Sequence, residues 1–260
     1  MNIGITYFLI IIFANTLGAI SGMGGGILIK PLFDFVGHDS VAAISFYSAI
    51  AVFTMAVVST FKQIKDGTQL NWNFANWIAG GAAVGGMFGN SLLNFLLQLF
   101  PNERHVTMIQ IVLTILSIFF SLGVTTRKKA NFRLAGNYWY CFSGLILGIC
   151  ASFLGIGGGP INVALLILLF NIPLKEATVY SICIILFSQG FKLINITMTG
   201  DFSSINFYQL IFIIPAAILG GYLGALFSKF MLTKYVAMLF QIMLLIVVII
   251  NVYNYLQLLD

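Results

Sequence analysis

The sequence predicts an all-α polytopic membrane protein made of two homologous repeats in an inverted arrangement. Each repeat has about four full transmembrane helices and one short broken or re-entrant helix after a glycine-rich cluster. Three observations predict this. The chain is 60% hydrophobic and only 7% charged, where soluble domains carry about a quarter charged residues. Apolar runs fill nearly its whole length and leave no stretch for a separate soluble domain. The cluster Gly22-Met23-Gly24-Gly25-Gly26 has a near copy in Gly155-Ile156-Gly157-Gly158-Gly159-Pro160. The expected organisation is one integral membrane domain over 1–260, with repeat one at 1–124, a basic cytoplasmic linker at 125–137 and repeat two at 138–260.

Taken in order, Ile3–Ile20 is long enough to span and reads as a retained first span, since no basic side chain precedes it. The first glycine cluster ends it. Ile27–Val36 is too short to cross a hydrocarbon core of about 30 Å and reads as a half-helix. Full spans follow at Val41–Phe61, Phe74–Leu99 and Val106–Val124. The run from Arg127 to Arg133 is the most basic segment and the midpoint. The second half repeats the order: Tyr138–Phe153, the cluster, a short run Ile161–Phe170, then Ala177–Thr197, Phe207–Phe230 and Val236–Tyr255. Adding 133 carries Gly22 to Gly155, Tyr47-Ser48 to Tyr180-Ser181 and Gly67 to Gly200, and a slightly larger offset carries Gly85-Gly86 to Gly220-Gly221. Several matches in one order under nearly one offset indicate internal duplication, a feature typical of transporters.

If each short run counts as a crossing, Lys62, Lys65, Arg127, Lys128, Lys129, Arg133, Lys175, Lys229 and Lys234 share one face, which the positive-inside rule makes cytoplasmic. An odd number of segments per half then inverts the repeats and puts both termini outside. Merging each short run with its predecessor gives parallel halves and weakens the bias. Trp72, Trp77, Tyr138, Trp139 and Tyr140 fit an interfacial aromatic belt. The net charge of +5 is scattered in this loop pattern, which argues against a nucleic-acid partner. Cys141, Cys150 and Cys183 lie singly in apolar runs and read as inert thiols, so no metal site is expected, nor any cofactor.

Each cluster opens a short helix, so the N–H groups of Gly24, Gly25, Gly26, Ile27, Gly157, Gly158, Gly159 and Ile161 lack intrahelical partners. Two such ends converging near the midplane would form an anion site from backbone dipoles. The competing reading is close helix packing, which applies to Gly81, Gly85, Gly89, Gly144, Gly148, Gly220 and Gly224, with their small-residue spacing. Tyr47, Ser48, Tyr180 and Ser181 are repeated hydroxyls that could donate to an oxyanion or bond their own helix, with even weight on both. Ser45 and Thr178 share that ambiguity, and Asn15 and Asn162 are weaker candidates. Lys30 and Lys192 lie in apolar sequence, where an ammonium must snorkel, pair or meet a ligand. Lys30 has Asp34 one turn on, so this pair is an ion-pair or proton site. Lys192 either snorkels, the slightly favoured reading, or faces a cavity and attracts an anion. His38 and His105 read as loop surface. No HExxH, Walker or nucleophile-elbow pattern is present, so the chain is not expected to be an enzyme.

With both clusters, Pro31 and Pro160, the Lys62-Gln63-Ile64-Lys65-Asp66-Gly67 turn followed by Trp72, and the paired Gly-Gly-x-x-Gly segments, the chain resembles the sulfite exporter TauE/SafE family along nearly its whole length. Gly155-Ile156-Gly157-Gly158-Gly159-Pro160-Ile161-Asn162-Val163 is the most specific part, and the first cluster departs from it in having no proline directly after Gly26. The resemblance implies a multi-pass inner-membrane permease for sulfite, a sulfonate or another small sulfur-containing anion. The expected function is a secondary carrier working by alternating access, with the bilayer and a small anion as its partners. An anion channel and a membrane-embedded enzyme or assembly subunit are the alternatives.

Overall fold

The computed structural model describes residues 3–67, 70–126, 132–199, 202 and 205–259. Arg127, Lys128, Lys129 and Gly200, which entered the charge and repeat readings, lie outside the described residues. The described residues form ten α-helices: α1 (Ile3–Ser21), α2 (Gly26–Val36), α3 (Val41–Lys65), α4 (Trp72–Leu99), α5 (Glu103–Thr126), α6 (Asn137–Phe153), α7 (Gly159–Phe170), α8 (Leu174–Thr199), α9 (Leu210–Phe230) and α10 (Thr233–Leu259). A 3₁₀ turn, Phe207–Gln209, leads into α9.

Local chemistry sets the ends of these helices. Ser40 accepts a hydrogen bond from the Ala43 N–H and starts α3, and Asn71 does the same for Phe74 at the start of α4; such side-chain caps satisfy an otherwise orphaned N–H. Helices α2 and α7 both stop on a left-handed residue, Gly37 at φ 65° and Asn171 at φ 54°, whose N–H folds back onto the last turn. The short segments therefore end by the same device.

Seven helices among those described, α1, α3, α4, α5, α8, the Phe207–Phe230 segment and α10, are long and apolar enough to cross a membrane. Helix α6, read in the sequence as a full span, has 17 residues and reaches about 25 Å at 1.5 Å per residue, at the short end for a spanning helix. Its span is cut at Phe153 by the second glycine cluster. Large apolar side chains such as Phe13, Phe88, Phe119 and Ile249 face outward, as lipid-facing positions require.

Small residues hold the interior together. Helix α4 packs along α6, and α1 along α9. A Cβ on Gly220 would stand 2.8 Å from Asn15 Cβ and 3.0 Å from the Ile12 carbonyl oxygen, and one on Gly221 2.9 Å from the Met55 carbonyl oxygen, so backbone meets backbone. Dispersion at such close approach is what drives helix association where lipid is as apolar as the side chains. The remaining packing falls into pairs: α4 on α8 and α9 on α3, α5 on α7 and α10 on α2, with α3 against α8 and α5 against α10.

Candidate functional site

The two glycine clusters meet. The Gly159 N–H donates to the Met23 carbonyl at 3.0 Å, and a Cβ on Gly26 would stand 2.5 Å from the Ile156 carbonyl oxygen. Each cluster's last glycine thus touches the second residue of the other. Every residue from Gly22 to Ile27 and from Gly155 to Pro160 is buried, so the two helix starts oppose one another deep inside the protein.

Positive φ makes these turns a glycine privilege. Gly22, Gly24, Gly155, Gly157 and Gly158 all lie between φ 68° and 123°, where a side chain costs about 1–2 kcal/mol. Each turn is braced in the same way. Gly24 N–H donates to Gly18 O at 3.2 Å and Gly157 N–H to Ala151 O at 3.3 Å. Ser181 Oγ donates to the Gly22 carbonyl at 2.5 Å, and Ser48 Oγ to the Gly155 carbonyl at 2.9 Å. The serine of each half therefore ties down the cluster of the other.

These bonds sort the sequence candidates. The N–H groups of Gly24, Gly157 and Gly159 are engaged within the protein. Those of Gly25, Gly26, Ile27, Gly158 and Ile161 have no such partner among the described residues, and neither short helix has a side-chain cap. Ser48 and Ser181 spend their hydrogens on glycine carbonyls. Tyr47 and Tyr180 stand apart from the clusters: Tyr47 Oη accepts from the Asn206 N–H at 2.8 Å and Tyr180 Oη accepts from the Asn71 N–H at 2.9 Å. Each tyrosine clamps the loop that enters α9 or α4.

Lys192 is fully buried and does not snorkel, against the slightly favoured sequence reading. Its position on α8 turns it toward α3 and α6, where Nζ donates to Ser45 Oγ at 2.7 Å and to the Ser152 carbonyl at 3.0 Å. No carboxylate reaches it among the described residues. Lys30, also buried, pairs with Asp34 at 2.9 Å. A Cβ on Gly155 would stand 3.2 Å from Lys30 Cδ and 3.4 Å from Ser45 Oγ. Lys30 directly, and Lys192 through Ser45, thus lie beside the second cluster, in a place where an uncompensated ion costs several kcal/mol.

Sequence reasoning underrated Asn15 and Asn162. Both are completely buried. Asn15 Nδ2 donates to the Ala51 carbonyl at 3.1 Å while its Oδ1 has no partner, and neither polar atom of Asn162 has one. Asn15 Oδ1 abuts Gly25, and a Cβ on Gly158 would stand 2.6 Å from Asn162 Nδ2. A buried amide left unpaired costs about 1–3 kcal/mol, and here such amides flank both helix starts. The available signal was their spacing: Asn162 is the fourth residue after Gly158, and Asn15 lies about one turn before Gly18.

Chemically, this arrangement offers backbone N–H donors, amide side chains and a buried lysine without a carboxylate partner among the described residues, donors of the kind that a small anion accepts from. Among the described residues no group of three or more histidine, cysteine or acidic side chains could hold a metal.

Comparison with known proteins agrees with the membrane architecture. The model of the sulfite exporter TauE/SafE family matches residues 7–251. The chain is 25% identical over 257 residues to the probable membrane transporter protein YunE of Bacillus subtilis, covering 90% of this chain and 92% of that protein. No solved structure matches. The protein is a multi-pass membrane transporter rather than an enzyme, and its chain belongs to the sulfite exporter TauE/SafE family.

Proposed function

We propose that the protein is a secondary carrier for a small anion, sulfite or an organic sulfonate, bound where the starts of α2 and α7 meet. The observation that carries this reading is the buried Lys192 ammonium, without a carboxylate partner, on the Gly155 side of two opposed helix starts whose donors are partly unused. Helix-start dipoles and a buried cation favour a negative solute together. Gly25, Gly26, Ile27, Gly158 and Ile161 would donate N–H groups, Asn15 and Asn162 would turn their amides, and Lys192 would supply charge. Ser48 and Ser181 would hold the turns open, and the Lys30–Asp34 pair would set the local charge.

Direct contact between the clusters favours a carrier over a channel. With Gly159 bonded to Met23 the clusters touch, so passage between them would require the two halves to move relative to each other. Support for an inverted, two-repeat domain comes from the packing. Exchanging α1–α5 with α6–α10 turns the α4/α6 contact into α9/α1, α4/α8 into α9/α3, and α5/α7 into α10/α2, and all six contacts are present. Lys229 lies 3.3 Å from Asp66 and Lys175 Nζ donates to the Met231 carbonyl at 3.1 Å, which gathers the basic helix ends on one face, cytoplasmic by the positive-inside rule.

The test is flux of labelled sulfite and methanesulfonate into proteoliposomes holding the purified protein or its Lys192→Met variant. Saturable flux in the parent and its loss in the variant are expected. Undiminished flux in a well-folded Lys192→Met protein would refute the site, and conductance far above carrier turnover would favour a channel.

A further inference from the structure

Two cavities open at opposite ends of the α3–α8 pair, and the internal repeat relates them to each other. The first, about 470 Å³, is walled by Gln63, Asp66, Lys175, Val179, Ser228 and Lys229, among others. The second, about 350 Å³, is walled by Ile196, Thr199, Ala42, Phe46, Leu93 and Asn94, among others. These are the same positions in the other half. An offset of 133 on α3 and α8 takes Gln63 to Ile196, Asp66 to Thr199, Ala42 to Lys175 and Phe46 to Val179, and an offset of 135 takes Leu93 to Ser228 and Asn94 to Lys229. Packing accidents do not recur residue for residue at both ends of a molecule.

Each cavity leads to an equivalent point in the interior. Ser45 walls the second cavity and holds Lys192 Nζ at 2.7 Å. Gln63 walls the first, and its Nε2 donates at 3.3 Å to the buried Ser59, the residue that stands 133 positions before Lys192. Their chemistry differs. Among the described residues, the polar side chains that wall the second cavity are uncharged: Ser45, Asn90, Asn94, Gln98 and Thr199. The first holds Lys175, Lys229, Asp66 and Glu176, and Asp66 bridges Lys62 on α3 to Lys229 on α9, which ties the two helices across the cavity.

We propose that these cavities are the two mouths of one permeation route. The neutral mouth offers hydroxyl and amide donors to a small oxyanion and passes it to Lys192. The charged mouth opens on the basic face, where Asp66 joins α3 to α9. This rests on the carrier reading above. Neutral donors suit the receiving mouth because they bind an anion without a deep electrostatic trap, and the single buried charge lies one step further in.

The test uses protein in which Cys141, Cys150 and Cys183 are replaced by Ala, carrying either Asn94→Cys or Val179→Cys, reconstituted in vesicles. A membrane-impermeant cationic thiol reagent is applied from each side, and methanesulfonate flux is measured before and after. Asn94→Cys is expected to react from one side only and Val179→Cys from the other only, each reaction removing most of the flux. Reaction of both from one side, reaction of neither, or reaction without effect on flux would overturn the proposal. Ala42→Cys and Ser228→Cys, on the same two walls, decide the question if either first variant fails to fold. Absence of methanesulfonate and sulfite flux in the unlabelled parent would overturn the carrier reading instead, and the side of labelling would still decide whether two opposed mouths exist.

Discussion

The two glycine clusters share their scaffold and differ in their surroundings. In both, an interrupted helix turns back on itself through a bond to the preceding helix, Gly24 to Gly18 and Gly157 to Ala151, and a serine from the opposite half closes the turn. Among the described residues, lysine side chains lie against the second. Lys30 and Ser45 touch the space around Gly155, and Lys192 is held by Ser45 and by the Ser152 carbonyl. The corresponding neighbour of Gly22 is Thr178, and the position matching Lys192 is Ser59. The two turns thus share one frame of bonds, and the buried lysine contacts lie on one side of it. The lesson is that geometry and electrostatics at such a site separate: the first is common to both halves, the second belongs to one.

The largest effect expected from breaking this comparison is on transport. Lys192→Met should abolish most anion flux, whereas Ser59→Ala at the matching position should leave it close to that of the parent, both read in proteoliposomes. Equal losses would mean that the charge is structural. Next comes the backbone. Gly157→Ala should destabilise the protein more than Gly24→Ala in thermal unfolding in detergent. Both positions have positive φ and share a cost of about 1–2 kcal/mol, but the new methyl at Gly157 meets Val52 Cγ1 at 2.6 Å while that at Gly24 meets Ile185 Cδ1 at 3.0 Å.

A smaller pair of effects sharpens the shared part. Ser48→Ala and Ser181→Ala each remove one buried bond to a glycine carbonyl and should cost about 1 kcal/mol apiece, seen as similar shifts in unfolding midpoint. A large inequality would show that the frame is less symmetric than its bonds. The smallest effect lies at the basic face. The hydrogen bonds from Lys62, joined by those from Lys229, hold the Asp66 carboxyl below its ordinary value of 3.8. A carboxyl depressed on folding contributes stability above its unfolded pKa and loses it as pH falls through the folded one. Acidification toward pH ~2 should therefore destabilise the parent slightly more than Asp66→Asn, in which that bridge no longer titrates.

Much of the architecture was legible in the amino-acid order. The short segments Ile27–Val36 and Ile161–Phe170 lie within α2 and α7, because glycine runs cannot sustain a helix in lipid and their positions bracket the breaks. The aromatic and apolar exteriors followed from composition. The site was legible only in outline. Which glycine N–H groups stay unused depends on partners far away, such as Met23 for Gly159, and the placing of Tyr47 and Tyr180 depends on loop residues more than a hundred positions distant, Asn206 and Asn71.

From the sequence alone come the membrane class, the helix breaks and the transporter family, because hydrophobic length, glycine conformation and motif order are local properties of the chain. The tertiary structure alone decided that the two breaks touch, that Lys192 points inward and that, among the described residues, Asn15 Oδ1 and both polar atoms of Asn162 have no partner. Those outcomes depend on how whole helices pack: a residue's burial and hydrogen-bond partners are set by the helices around it, and the order of its own neighbours carries no record of them.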